Sequence, residues 1–205
     1  MSKYFSNEPE TGDIVLIESL TPCACCVSFW TKSSINHVGI LVKDIQINDD
    51  SFDGIYVLES GLELLDSKEN KILPFGTQIQ PLKTILSQSV NVYYRKLNVE
   101  RNSAFINSIK NIYQTVKSAP YDLRISVWSE LFEVVVLDKH LNNITTINEA
   151  EKQKEFTCSA MVAYILTKLG FSILENTNGN WNMITPRFFN DLDTPWLGPR
   201  KILEN

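Results

Sequence analysis

The run Phe156-Thr157-Cys158-Ser159-Ala160-Met161-Val162-Ala163-Tyr164-Ile165-Leu166 constrains this chain more than any other stretch, because it reads as an apolar helix with a sharp start and a sharp stop. Thr157 is a natural N-cap, and Gly170 supplies the residue that ends the helix after Leu169. Cys158 then falls in the first turn, where unsatisfied amide N–H groups and the positive end of the helix dipole suit a nucleophilic sulfur. Plain core is an equally good reading of a cysteine beside Ala160, Met161 and Val162, since free Cys is among the most buried residue types. Its partners decide between the two.

The whole chain holds only two histidines, His37 and His140. His37 opens the β-rich run His37-Val38-Gly39-Ile40-Leu41-Val42-Lys43. The next apolar run, Gly54-Ile55-Tyr56-Val57-Leu58-Glu59-Ser60-Gly61, ends in a carboxylate. Pairing the two runs as an antiparallel hairpin across the polar stretch Asp44 to Asp53 sets Gly39 near Glu59 and His37 one diagonal step away. Both positions are odd, so in that register His37 and Glu59 point to the same face. A carboxylate that accepts one ring N–H of an imidazole fixes its tautomer and stabilises its protonated form, which a Cys/His nucleophilic site requires. His140, at the end of an expected helix, reads as a dipole partner.

The order Gly12-Asp13-Ile14-Val15-Leu16, His37-Val38-Gly39-Ile40, Leu58-Glu59-Ser60, Tyr121-Asp122, Cys158-Ser159 and Thr185-Pro186 resembles the circularly permuted branch of the NlpC-type papain-like hydrolases, the YaeF/YiiX-like group. The pattern spans most of the chain. In that branch the histidine comes first, the acidic residue second and the cysteine last, as here. The resemblance implies a Cys158/His37/Glu59 triad in an α+β, circularly permuted papain-like fold, a small antiparallel sheet packed against helices. It also implies that Tyr121 lines the site and donates to the oxyanion; Asp122 reads equally well as an N-cap. Ala160 and Met161 depart from the family, which carries an acidic and a bulky apolar residue after Cys-Ser, and that departure bears on substrate preference. Asp13 reads as a turn residue ahead of the first strand rather than as a catalytic acid.

Composition narrows the partners. The 205 residues are 43% hydrophobic, enough for one sizeable core, and the expectation is one domain over 1–205. A formal net charge of -5 argues against nucleic acid, whose phosphates call for clustered Lys and Arg. Met1 to Gly12 lacks the basic start and apolar core of a secretory signal, and no run approaches the ~18 apolar residues that span a bilayer. The expected location is therefore the cytoplasm, with four reduced cysteines and no cofactor, and membrane association is kept as the lesser alternative. Three of the cysteines cluster in Pro22-Cys23-Ala24-Cys25-Cys26-Val27, without the second paired-ligand motif that structural zinc uses. No metal is expected there. The cluster reads as a small apolar turn or helix beneath Phe29 and Trp30, with lipidation of exposed thiols the lesser alternative.

Strands are expected near 13–17, 38–43, 55–60 and 91–97, with helices over the rest. Phe105, Ile109, Ile112 and Val116 recur at helical spacing in a segment stopped by Pro120. Trp128, Leu131, Phe132 and Val135 mark a second helix from Asp122 to about Lys139, and Asn142 to Glu155 a polar connection. Thr185 can cap a last helix with Pro186 in its first turn. Phe29, Trp30 and Trp181 fall in loop-like segments where an aromatic can shape a subsite, and ordinary core burial is at least as good a reading of each. The functional expectation is a thiol hydrolase that cleaves an amide of a peptide or small molecule through a thioester. A permuted-type lipid esterase or acyltransferase, and a binding module with an inactive site, are the alternatives.

Overall fold

Ile14, Val15, Leu16 and Ile17 are all buried, so the first strand has a packed layer on each of its faces. That follows from its place in the sheet. The computed structural model describes residues 8–47, 50–61, 65–66, 71–72, 76–122, 155–173, 181 and 184–203. Strand β1 (Ile14–Glu18) lies between β2 (His37–Ile47) and β7 (Asn91–Leu97). With β3 (Asp50–Gly61), β6 (Gly76–Pro81) and β8 (Leu197–Leu203) they form a six-stranded antiparallel sheet of order β6-β3-β2-β1-β7-β8. A short pair, β4 (Leu65–Asp66) and β5 (Lys71–Ile72), stands apart. Five helices are described: α1 (Pro22–Thr31), α2 (Leu82–Gln88), α3 (Ser103–Val116), α4 (Cys158–Lys168) and α5 (Pro186–Asp191).

The alternation of side chains along the strands divides the core in two. Ile14, Leu16, Val38, Ile40, Val42 and Leu58 join the larger cluster with α4. Val15, Ile17, Leu41 and Val57 join a smaller one with Leu82 and Ile85 of α2. Helix α4 packs against β2 and β3, with α3 beside it. Its residues from Cys158 to Ala163, with Ile165 and Leu166, are all buried, as a helix apolar on every side must be. Its C-terminus closes as expected: Gly170 has φ +90°, its N–H bonds Thr167 O, and Phe171 N–H bonds Leu166 O, both at 3.0 Å.

Three expectations need correction. The β2–β3 pairing does not open at Asp44 but runs on to Ile47 opposite Asp50. A bulge between Lys43 and Ile45 absorbs Asp44 in left-handed backbone (φ 47°), where its Oδ1 accepts Gly54 N–H at 2.8 Å. Helices do not fill the remainder, because 76–81 and 197–203 are strands at the two edges of the sheet. Phe29 covers nothing: it is 79% exposed, and Cys25 and Cys26 are exposed beside it on α1. For Trp181 the core reading holds: it is 1% exposed and edge-on to Tyr164 of α4 at 5.3 Å. The second helix marked by Trp128, Leu131, Phe132 and Val135, His140, and the connection from Asn142 to Lys154 lie outside the described residues. No helix among the described residues is long and apolar enough to cross a membrane.

Candidate active site

Gly39 and Glu59 face each other in the observed register, which runs Ile40 opposite Leu58 and Leu41 opposite Val57. A Cβ on Gly39 would lie 2.5 Å from Val57 Cγ1, 3.0 Å from Leu58 O and 3.4 Å from Glu59 Cβ, so only a glycine lets β2 lie this close to the carboxylate. One diagonal step on, His37 Nε2 meets Glu59 Oε2 at 2.7 Å. The Glu59 side chain is 6% exposed and the imidazole 23%, so the pair is held mostly out of water with a window onto solvent.

Cys158 is brought to the same imidazole by the opposite end of the chain, close enough for its sulfur to bear on the charge of the ring. Nε2 is taken by Glu59, and Nδ1 is the ring nitrogen that this contact leaves open. Burial pulls the His37 pKa down, but the charges of Cys158 and Glu59 and hydrogen bonds to both push it well above its ordinary 6.5. The raised pKa favours the protonated ring beside the Glu59 carboxylate. Thr157 caps α4 in extended backbone, its hydroxyl accepting Ala160 N–H at 3.3 Å. The first intrahelical bond runs from Met161 N–H to Thr157 O, so the amides of Cys158 and Ser159 belong to the orphan donors of the first turn.

Three contacts fix where that helix begins. Ser60 Oγ, the residue after Glu59, donates to Phe156 O at 2.8 Å. Ser159 Oγ donates to Ile184 O, just ahead of the capping Thr185 of α5. Thr77 on β6 reaches Met161 Sδ at 3.6 Å. Tyr121 is buried and its backbone bridges Phe156, two residues before Cys158. Asp122 is also buried, its N–H on Phe156 O at 3.2 Å. Asp13 stands away from this cluster as a buried turn residue. It accepts Glu10 N–H and Leu97 N–H, each at 2.9 Å, and pairs with Arg101. Its carboxyl is raised above its ordinary pKa by burial, against the pull of those partners.

Two polar residues escape a reading of the sequence alone. Gln78 sits opposite Glu59 on β6 and donates Nε2–H to Glu59 Oε1 at 2.7 Å. Arg95 is buried and donates to Phe189 O, Leu192 O and Gly198 O at 2.7–2.8 Å, which ties the end of α5 to β8 and makes it structural. Nothing in the neighbourhood of either residue in sequence marks it: Gln78 lies in a polar stretch without alternation, and Arg95 among tyrosines and a lysine.

No protein-family model matches the chain. No curated protein matches it. Among solved structures it is similar to the Escherichia coli O157:H7 protein described as metalloprotein yiiX, DUF1105. The two share 15% identity with a TM-score of 0.55, over 96% of this chain and 97% of that one. At that identity the likeness shows a shared fold, an α+β arrangement spanning nearly all of both chains.

Proposed function

We propose that this chain is a single-domain cysteine hydrolase of the circularly permuted papain-like type, cleaving an amide of a peptide or small molecule through a thioester. The observation that carries the reading is one imidazole held by Glu59 at 2.7 Å, with a cysteine in the first turn of a buried helix near enough to bear on its charge. The fold shared with yiiX and the order His37, Glu59, Cys158 support the same class.

In this mechanism the Cys158 sulfur attacks the carbonyl carbon while the orphan amides of the α4 first turn, with Tyr121 as a side-chain donor, hold the oxyanion; one such donor is worth about 3 kcal/mol. The tetrahedral intermediate collapses to a thioester as the His37 imidazolium gives its proton to the departing amine. Neutral His37 then takes a proton from water, which attacks the thioester. Collapse releases the carboxylic acid, and sulfur and imidazolium return as a pair. Glu59 orients the ring and stays ionised.

The neighbour's name raises the question of a metal. Among the described residues no three His, Cys, Asp or Glu side chains could hold one. In the His37 cluster Nε2 is already committed to Glu59, which leaves that ring one nitrogen.

Incubation with activated amide or ester substrates, followed by intact-mass measurement, tests the reading. An acyl adduct should appear on Cys158, decay with time, and be absent from Cys158→Ser and His37→Ala. A folded protein that forms no adduct and leaves Cys158 no faster than Cys25 or Cys26 toward a thiol probe would instead be a binding module.

A further inference from the structure

Glu59 is held from two strands at once. His37 on β2 takes Oε2 and Gln78 on β6 takes Oε1, each at 2.7 Å, so the carboxylate plane is defined by one partner on each oxygen. Gln78 is directly opposite Glu59 in the β3–β6 ladder, and its amide lies over Gly61. A Cβ at Gly61 would stand 2.9 Å from Gln78 Nε2 and 3.8 Å from Glu59 Oε1. The missing side chain is the space through which the amide reaches the carboxylate.

We infer that Gln78 is a positioning residue for the hydrolase site, acting through Glu59, and that Gly61 keeps its path open. The inference rests on the proposed hydrolase reading. A buried carboxylate oxygen deprived of its donor carries an unmet desolvation cost, and the cheapest relief is rotation of the carboxyl toward water. That rotation takes Oε2 off His37. Gln78 supplies a donor without a charge, so it orients Glu59 while leaving the carboxylate's full charge for the imidazole.

The chain's two histidines make a direct measurement practicable, since the imidazole C2–H titration shows two signals by NMR and His140→Gln identifies one of them. Cys158 and Glu59 are the charged groups that bear on His37. Gln78→Met keeps the length and removes the donor; Gly61→Ala displaces the amide by contact and leaves Gln78 itself unaltered. Both should lower the His37 midpoint by about half a pH unit or more, in the same direction as Glu59→Gln and by less. Iodoacetamide labelling of Cys158 near neutral pH should slow in parallel. If Gln78→Met fails to fold, Gly61→Ala alone decides. A midpoint that stays or rises in the folded variants, while Glu59→Gln and Cys158→Ser still lower it, overturns the role of Gln78 and leaves the hydrolase reading standing. A wild-type His37 midpoint insensitive to Cys158→Ser overturns that reading, and this one with it.

Discussion

His37 is the residue on which charge, geometry and pH dependence meet. Its pKa is raised, so the ion pairs it makes contribute stability fully below about 6.5, the ordinary value, and lose it as pH rises through the folded midpoint. Removing the Glu59 charge takes away one of the causes of the rise, and the midpoint must fall. Glu59→Gln should therefore show a lower Tm than wild type at pH just below 6.5 and converge with it at alkaline pH; scanning calorimetry across pH checks this. Turnover in that variant should drop about 10²- to 10⁴-fold without vanishing, because the ring keeps its neighbour but loses the stabilised imidazolium. Cys158 sets the other test at this scale. Exposure alone favours Cys25 and Cys26, since Cys158 is 6% exposed. Yet Cys158 should be alkylated first near pH 6, and that lead should disappear in His37→Ala, as peptide mapping after limited labelling will read. Equal labelling order in both proteins would remove the histidine from its activation.

Between elements, the approach of β2 to β3 is set by Gly39. An added methyl would meet a branched buried side chain at 2.5 Å and a backbone carbonyl at 3.0 Å, with no flexible end to yield. Gly39→Ala should cost about 1–3 kcal/mol in urea unfolding, as overpacking does, and should lower activity by moving the strand that carries Glu59. Thr157→Ala should cost about 1 kcal/mol through the lost cap and slow labelling of Cys158. These strands and the capped helix were legible because their signals are local: alternation or apolar continuity in β1, β2, β3 and β7, and Thr157 and Gly170 around α4. The register of β2 on β3 was legible from parity. Edge strands β6 and β8 were not, since Thr77, Gln78 and Gln80 in one, and Gly198, Pro199, Arg200 and Lys201 in the other, face too little core to alternate. Gln78 was hidden with its strand: a glutamine becomes a partner of Glu59 only once β6 is known to lie beside β3.

Across the whole molecule the site is assembled from distant pieces of chain, and what surrounds it decides the kind of substrate. Helix α1 carries no charged residue and exposes Phe29, Cys25 and Cys26, with Leu20 75% exposed just ahead of it. It is also tied to the strand that carries His37, since Asn36, next to His37, donates to Ser28 Oγ at 2.9 Å. An apolar helix beside the site is what a lipid-acting enzyme would display, whereas the net charge of -5 repels an anionic bilayer and no polybasic run offsets it. Electrostatics acts over about a Debye length before a single aromatic ring touches lipid, so the repulsion is taken to prevail. Anionic liposomes at physiological salt should accordingly neither sediment with the protein nor raise turnover of a water-soluble amide, and Phe29→Ser should leave that turnover unchanged. Tryptophan emission offers a clean internal control, because Trp181 is already buried against Tyr164 and cannot shift on binding. Any blue shift must come from the other tryptophans, Trp30 on α1 among them. Cosedimentation with that blue shift, both lost in Phe29→Ser, together with protection of Cys158 by lipid and not by short peptides, would move the substrate class from amide to acyl lipid.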